Sequence, residues 1–142
     1  MRIFGAAAIV AAASALSACI PMRAYDVPTV HIRVIDSRTS APLAGASVIV
    51  MTGGDRAPPY AATAADGTAT LGPVAHWTLI FVNLDPLPSS RTLEIHAPGY
   101  VTKLADICFY GIKQTPVVSL TVALESGSGP QSRVRQQPGP CF

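Results

Sequence analysis

The sequence predicts an all-β protein, a seven-stranded β-sandwich that follows an N-terminal signal peptide. Short runs of β-branched and aromatic residues alternate with polar residues at a period of two, which is typical of half-buried strands. Glycine and proline, with 11 and 13 of the 142 residues, separate these runs at short spacing. No window of the mature chain shows a convincing period of 3.6 residues, although a short helix in 84–92 or 103–113 stays open.

The chain begins with the pattern of a secretory signal. Met1 and Arg2 form a short positive start, and an uncharged, alanine-rich run continues to Leu16. This run is shorter than the ~20 apolar residues that a membrane-spanning helix needs. We therefore expect residues 1–18 to be removed from the mature protein.

The end of this segment, Leu16-Ser17-Ala18-Cys19, resembles the lipobox of bacterial lipoproteins. The resemblance implies that cleavage precedes Cys19 and that its sulfur carries a diacylglycerol, usually with a further acyl chain on its amine. Several acyl chains give stable anchoring, because each buried methylene contributes about 0.8 kcal/mol. Membrane lipid is thus an expected partner through acylated Cys19. The alternative is an ordinary signal peptide that ends near a cysteine.

The lipobox resemblance also implies a location for the mature protein. Lipoproteins of this kind are anchored in a membrane and face the periplasm. In Gram-negative lipoproteins, aspartate after the acylated cysteine favours retention in the inner membrane. Ile20 occupies that position here, so the outer membrane is favoured if the host is Gram-negative.

The mature chain divides into three predicted parts. Residues 19–27 are predicted to be an extended tether of at most ~30 Å. Residues 28–124 match the size of a β-sandwich domain. Residues 125–142 consist mainly of Ser, Gly, Pro, Gln and Arg, so we expect a disordered tail there.

Within residues 28–124 the strand pattern can be followed in order. Alternation predicts strands in 30–35, 46–51 and 93–97, and runs of strand formers predict further strands in 60–63, 68–71, 101–108 and 117–124. Ala65-Asp66-Gly67 is a hairpin signal between the runs at 60–63 and 68–71. Residues 76–84 are apolar on both faces, which predicts a central buried strand.

Four segments resemble, in order, the carboxypeptidase regulatory-like domain. They are Val34-Ile35-Asp36, Ala41-Pro42-Leu43-Ala44-Gly45-Ala46-Ser47-Val48, Ala65-Asp66-Gly67-Thr68-Ala69 and Ala97-Pro98-Gly99-Tyr100. The resemblance covers 28–124 and implies an Ig-like, prealbumin-like (transthyretin-like) sandwich in which these residues are structural. Ser40 departs from the family, which usually has glycine in this first turn, and a different turn geometry is therefore open.

No catalytic residue, metal site or cofactor is predicted. Hydroxyisourate hydrolases of the same fold carry a histidine three residues before the aspartate, where this chain has Arg33. Iron-binding dioxygenases use a close His-x-His pair, whereas His31, His76 and His96 are far apart in sequence. We therefore expect no enzyme. A small-molecule binder or hydrolase that uses these three histidines is the alternative, and pairing of the first strand near 93–97 would bring His31 close to His96.

Two cysteines remain once Cys19 is assigned to lipidation. An oxidising compartment favours a disulfide between Cys108 and Cys141, which would attach the tail to the sandwich. Such a loop of about 30 residues would add about 3 kcal/mol of stability. Two free cysteines, or an intermolecular bridge, are the alternatives.

These expectations indicate a non-enzymatic, membrane-anchored envelope lipoprotein that acts as an interaction or structural module. Sheet edges, or loops 52–59 and 84–91, are the candidate contact surfaces for an envelope protein partner. An accessory lipoprotein of a secretion or other envelope assembly is the alternative. The net charge of only +2 gives no electrostatic reason to expect nucleic-acid binding.

Overall fold

The computed structural model describes residues 19–53, 57–81, 88–111 and 116–135, and these ranges contain strands and no helix. The all-β class is confirmed, but the described residues form ten strands rather than seven. The strands are β1 (Cys19–Val27), β2 (Thr29–Asp36), β3 (Ser47–Met51), β4 (Tyr60–Ala62), β5 (Thr68–Leu71), β6 (Val74–Phe81), β7 (Pro88–His96), β8 (Lys103–Tyr110), β9 (Val117–Leu124) and β10 (Ser132–Arg135). β7 and β8 occupy most of the two segments in which a short helix stayed open.

Two sheets face each other across the core. One has the strand order β10-β8-β7-β3-β4 and the other the order β5-β2-β9. In β2, Val30, Ile32 and Val34 are buried while His31 and Arg33 are exposed, as the alternation predicts. The same alternation is confirmed in the other sheet. The residues that its strands bury are Val48, Val50, Leu93, Ile95, Ala105, Ile107 and Phe109.

β2 and β9 are adjacent parallel strands, and β9 covers the residues that its sequence pattern predicts. The backbone N–H of Thr29 donates to the carbonyl of Pro116, and that of Ser37 donates to the carbonyl of Leu124. In a parallel strand, the N–H and C=O groups of every second residue bond to one neighbouring strand, and those of the residues between them point to the opposite side. The even-numbered residues of β9 therefore direct their backbone groups to β2, and the odd-numbered residues direct theirs away from it.

The Asp-Gly segment forms the predicted turn, but not a hairpin of two paired strands. β4 pairs with β3 in the larger sheet, whereas β5 pairs with β2 in the smaller one. The turn therefore carries the chain from one sheet to the other. Its own bonds are local: Ala64 N–H donates to Thr68 O, and Gly67 N–H donates to Ala64 O.

Two predictions, for residues 19–27 and for residues 76–84, differ from the structure. Residues 19–27, expected as a tether, form β1, which pairs antiparallel with β6. β6 is therefore not the central buried strand that its apolar pattern suggests, since β1 and β6 form a separate two-stranded sheet. Residues 82–84 of that predicted strand lie outside the described residues. An apolar run does not reveal whether other strands will cover it.

The described part of the C-terminal segment also differs from the expected disordered tail. β10 pairs parallel with β8, and Arg133 forms an ion pair with Asp106 with an Nε–Oδ2 distance of 2.9 Å. Backbone bonds to an edge strand and a charged pair order a segment that has few apolar residues. Residues 136–142 lie outside the described ranges.

The first turn after β2 is closed by Asp36 and contains Ser40 in a left-handed conformation, with φ of 59°. The Ser40 N–H donates to the Asp36 carbonyl, and the Asp36 N–H donates to Ala41 O. Serine thus adopts the backbone conformation that glycine favours, at the position where the carboxypeptidase regulatory-like pattern has glycine.

Replacing Ser40 with glycine is expected to raise the free energy of unfolding by about 0.5–1 kcal/mol. Relief of the left-handed strain exceeds the extra freedom that glycine has in the unfolded chain. Urea unfolding measures the change. Ser37→Gly is the matched control, because Ser37 is exposed in the same turn and is not at positive φ. It should lower stability slightly, and equal effects of both variants would contradict the strain at Ser40.

Candidate functional site

The candidate lipidation site lies at the start of β1. Cys19 is the first residue of this strand, and its backbone pairs with that of Phe81. Leu16, Ser17 and Ala18, the other residues of the lipobox tetrad, lie outside the described residues. An acyl chain on Cys19 would thus be attached to the outer end of the β1–β6 arm, which we define as the strand pair β1 and β6.

The three histidines lie on different elements, and each has its own partner. Their Nδ1 atoms lie 3.0 Å from Thr70 Oγ1 for His31, 3.0 Å from Asp26 Oδ2 for His76, and 3.1 Å from Thr102 Oγ1 for His96. β2 pairs with β5 and β9 rather than with β7, so the pairing that would bring His31 close to His96 does not occur. Within the described residues, no group of three His, Cys, Asp or Glu side chains could hold a metal ion.

A shallow groove of about 470 Å³ crosses the outer face of the smaller sheet. Strand register places two polar rows there, Thr70–His31–Ser119 and Thr68–Arg33–Thr121. Hydroxyl groups and one permanent cation can form hydrogen bonds with a polar or anionic surface. No carboxylate is among the described residues that line the groove, so it offers no paired acid and base for hydrolysis.

The Asp36 carboxylate accepts several hydrogen bonds, and its partners are structural. It accepts hydrogen bonds from the Arg38 and Thr39 backbone N–H groups, both at 2.8 Å, from the Thr39 hydroxyl, and from Tyr100 Oη at 2.9 Å. These bonds, led by the one from the Thr39 N–H, lower the pKa of Asp36 to about 2. The same carboxylate raises the pKa of Tyr100. The cluster joins the end of β2 to the Pro-Gly-Tyr turn.

The described part of the predicted contact loops is small. Residues 54–56 and 82–87 lie outside the described ranges, and Pro88 already begins β7. Among the described residues of the first loop, Pro58 is exposed, and Tyr60, which follows the loop on β4, is 62% exposed. Loop 84–91 is therefore a strand in its described part.

The feature that sequence reasoning missed is the exposed apolar surface of the β1–β6 arm. Trp77 is 75% exposed, Leu79 is 69% exposed and Ile20 is 47% exposed. The sequence predicts burial because apolar residues occupy both faces of the 76–84 run. The absence of charge from residues 19–22 and 78–81 was the signal that could have indicated an apolar surface instead.

Fold and surface together define an all-β sandwich with a projecting two-stranded arm. No protein-family model matches the chain, and no curated protein matches it either. In the described ranges there is also no helix of the length and apolar character needed to span a membrane.

Proposed function

We propose that the protein is a lipid-anchored lipoprotein of the cell envelope whose β-sandwich is a non-enzymatic interaction module. One observation carries the proposal: the tetrad Leu16-Ser17-Ala18-Cys19, which resembles a lipobox, ends a segment with the pattern of a secretory signal. Acylated Cys19 would hold the protein on the membrane, facing the periplasm. Ile20 favours the outer membrane in a Gram-negative host.

The strand pairing of β1 supports a role as a spaced module. An extended strand advances about 3.3 Å per residue, so Cys19 lies roughly 26 Å from Val27, where the buried core begins. Because β1 is paired with β6, this spacer is stiffer than a free tether. The sandwich would then stand away from the point of anchoring and offer its edges to a partner.

The edge of β9 is the best-supported contact surface. β9 is the end strand of its sheet in the described ranges, it is eight residues long, and Val117 is 61% exposed. The backbone groups of Ser119 and Thr121 point away from β2, so they can bond to an added strand. Lys103 Nζ donates to Ala123 O and covers only the far end of this edge.

An accessory role in a secretion or other envelope assembly is the narrower form of this proposal, because an added strand from an assembly protein is the kind of partner that the β9 edge fits. A small-molecule binder or hydrolase gains no such support. Its three histidines are bonded separately, on β2, β6 and β7.

The proposal includes a disulfide between Cys108 and Cys141. β10 brings Arg135 into register with Asp106, two residues before Cys108. Cys141 follows Arg135 by six residues, which span at most ~20 Å when extended. The parallel pairing of β10 with β8 therefore supports the disulfide, because the six residues after Arg135 are long enough to reach Cys108. The disulfide would secure the C-terminal segment in the oxidising envelope.

Replacing Cys19 with serine tests the anchor. Serine has no thiol to carry the thioether, so palmitate labelling should be lost. Incorporation of labelled palmitate in cells measures the effect. Cys108→Ser is the matched control and should keep the label. Palmitate labelling that persists in the Cys19→Ser protein would disprove the assignment.

Replacing Ser119 with proline tests the β9 edge. Proline removes an N–H that points away from β2, so the sandwich should still fold while an added strand loses a bond and meets the ring. We expect recovery of a specific envelope partner, in pull-downs of the native lipoprotein, to fall by at least about tenfold. Ser119→Ala should recover it normally. Equal recovery by both variants excludes this edge, and the lack of any specific partner contradicts the interaction module.

A further inference from the structure

The β1–β6 arm is fixed at its base and carries exposed apolar side chains farther out. At the base, Val27 is buried, Val74 packs against the core, and the Tyr25 N–H donates to Gly111 O at 2.8 Å. Farther along, Arg23 pairs in register with Trp77, and Pro21 pairs with Leu79. The exposed large apolar side chains of the arm are Ile20, Trp77 and Leu79. We define the tip of the arm as residues 19–22 and 78–81.

Apolar side chains are exposed on both faces of this arm. Trp77 and Leu79 lie on one face, because residues two apart on a strand share a face. Pro21 is directly opposite Leu79 and lies on the same face, so its neighbour Ile20 lies on the other. A folded partner seated on either face would leave the other apolar face in water. Only surroundings that enclose the tip from all sides remove both faces from water.

The charges of the arm are ordered along its length. Residues 19–22 and 78–81 carry no charged side chain. The first charge is Arg23, which is exposed and level with Trp77, and its guanidinium carbon lies 5.8 Å from the centroid of the Tyr25 ring. Asp26, whose Oδ2 atom lies 3.0 Å from His76 Nδ1, follows nearer the base.

This order of polarity matches the interface of a lipid bilayer. Four residues of strand are about 13 Å long, comparable with the ~5–10 Å depth to which interfacial segments enter the headgroup and acyl boundary. Tryptophan favours the headgroup level, because its ring is apolar and its N–H is polar. A cation beside it complements the phosphates of anionic lipids.

We propose that the tip of the β1–β6 arm inserts end-on into the membrane leaflet that holds the acyl chains of Cys19. Leu79 and Ile20 enter the acyl boundary, and Trp77 and Arg23 lie among the headgroups. The inference rests on the proposed lipid anchor, which places the start of β1 at the bilayer. The anchor and the inserted tip together hold the sandwich in a defined orientation, so the β9 edge is presented in a fixed direction.

Trp77 is the only tryptophan in the chain, so its fluorescence reports on the arm alone. The acylated full-length mature protein is reconstituted in vesicles of phosphatidylethanolamine and phosphatidylglycerol at a ratio of about 3:1. We expect a blue-shifted emission, at least about threefold protection from acrylamide relative to the urea-unfolded protein, and quenching by lipids brominated near the headgroup. Acrylamide quenching as strong as in the unfolded protein would overturn the proposal.

Leu79→Glu and Met51→Glu form a matched pair of variants. Both replace an exposed aliphatic residue, since Met51 is 50% exposed on β3, which belongs to another sheet. Leu79→Glu should abolish most of the protection of Trp77, because a carboxylate is excluded from the acyl boundary, whereas Met51→Glu should leave it unchanged. Equal protection in both variants contradicts end-on insertion. Circular dichroism establishes that both remain folded.

Two further measurements separate the possible failures. Intact mass shows whether Cys19 is acylated, so a loss of the anchor is detected independently of Trp77. If Cys19 carries no lipid, the proposed function fails, and the same chain with excess vesicles tests the arm by its emission shift. Protection of Trp77 without vesicles that rises with protein concentration would identify a second copy as the occupant and overturn the membrane assignment.

Discussion

Replacing Gly67 with alanine is expected to lower the free energy of unfolding by about 2–4 kcal/mol. Gly67 has φ of 74°, and a Cβ atom there would lie 2.5 Å from the Val34 carbonyl oxygen and 2.9 Å from Pro42 Cβ. Val34 cannot move away easily, because its N–H donates to Gly67 O and its carbonyl accepts from the Leu43 N–H. Chemical denaturation measures the loss.

Gly45→Ala is the matched control for this prediction. Gly45 has φ of 71°, but a Cβ there would meet no atom within 4 Å. Its alanine variant should therefore lose only about 1 kcal/mol, from the left-handed backbone conformation alone. If both variants lose the same amount, the close approach of the turn to β2 is not a source of the cost. The turn would then depend on backbone conformation only.

Replacing Asp36 with asparagine is expected to lower the melting temperature at pH 7 by roughly 5–10 °C. Asparagine is neutral, so the four hydrogen bonds that now reach a carboxylate lose their charge assistance. The bonds come from the N–H groups of Arg38 and Thr39, the Thr39 hydroxyl and Tyr100 Oη. Differential scanning calorimetry measures the shift.

The pH dependence of the Asp36 effect has a definite sign. The pKa of this carboxyl is lowered from 3.8 to about 2 in the folded protein, so the charged form stabilises the fold at pH values above about 4. That contribution is lost as the pH falls from about 4 to 2. The wild-type protein should therefore approach the Asp36→Asn variant in melting temperature over this range.

Asp66→Asn is the control for charge removal. The bonds from the Thr68 hydroxyl and N–H also lower the pKa of Asp66, but this aspartate lies in an exposed turn. Its asparagine variant should lose less stability than Asp36→Asn, although the change in net charge is the same. A difference between wild type and Asp36→Asn that stays constant from pH 7 to pH 2 would contradict the assignment to the charged carboxylate.

Local periodicity predicted the strands whose neighbours are regular. β2 and β3 bury every second side chain, and β7 does so at Leu93 and Ile95, as their sequences indicate. The bounds of β9 agree with its predicted run. The structural roles of Asp36 and Gly67 were also predicted from their turn chemistry, because such turns depend on a few adjacent residues. Lipidation at Cys19 stays a prediction, since a sequence motif alone carries it.

Long-range pairing was not available from the same patterns. β4 and β5 flank one turn but join different sheets, and β10 forms in a segment that has too few apolar residues to predict a strand. The three histidines each bind a separate partner. β2 does not pair with β7, which is the pairing that would bring His31 close to His96. Strand partners are chosen by the whole chain, so no local window contains this information.

The sequence by itself determined the all-β class and the inward face of each alternating strand, because side chains of a strand alternate between its faces whatever its neighbours are. Only the tertiary structure decided where the apolar run around Trp77 lies. An apolar strand is compatible with burial in a sheet and with an exposed arm alike. Here β6 pairs only with β1 in its sheet, which leaves Trp77 and Leu79 outside the core.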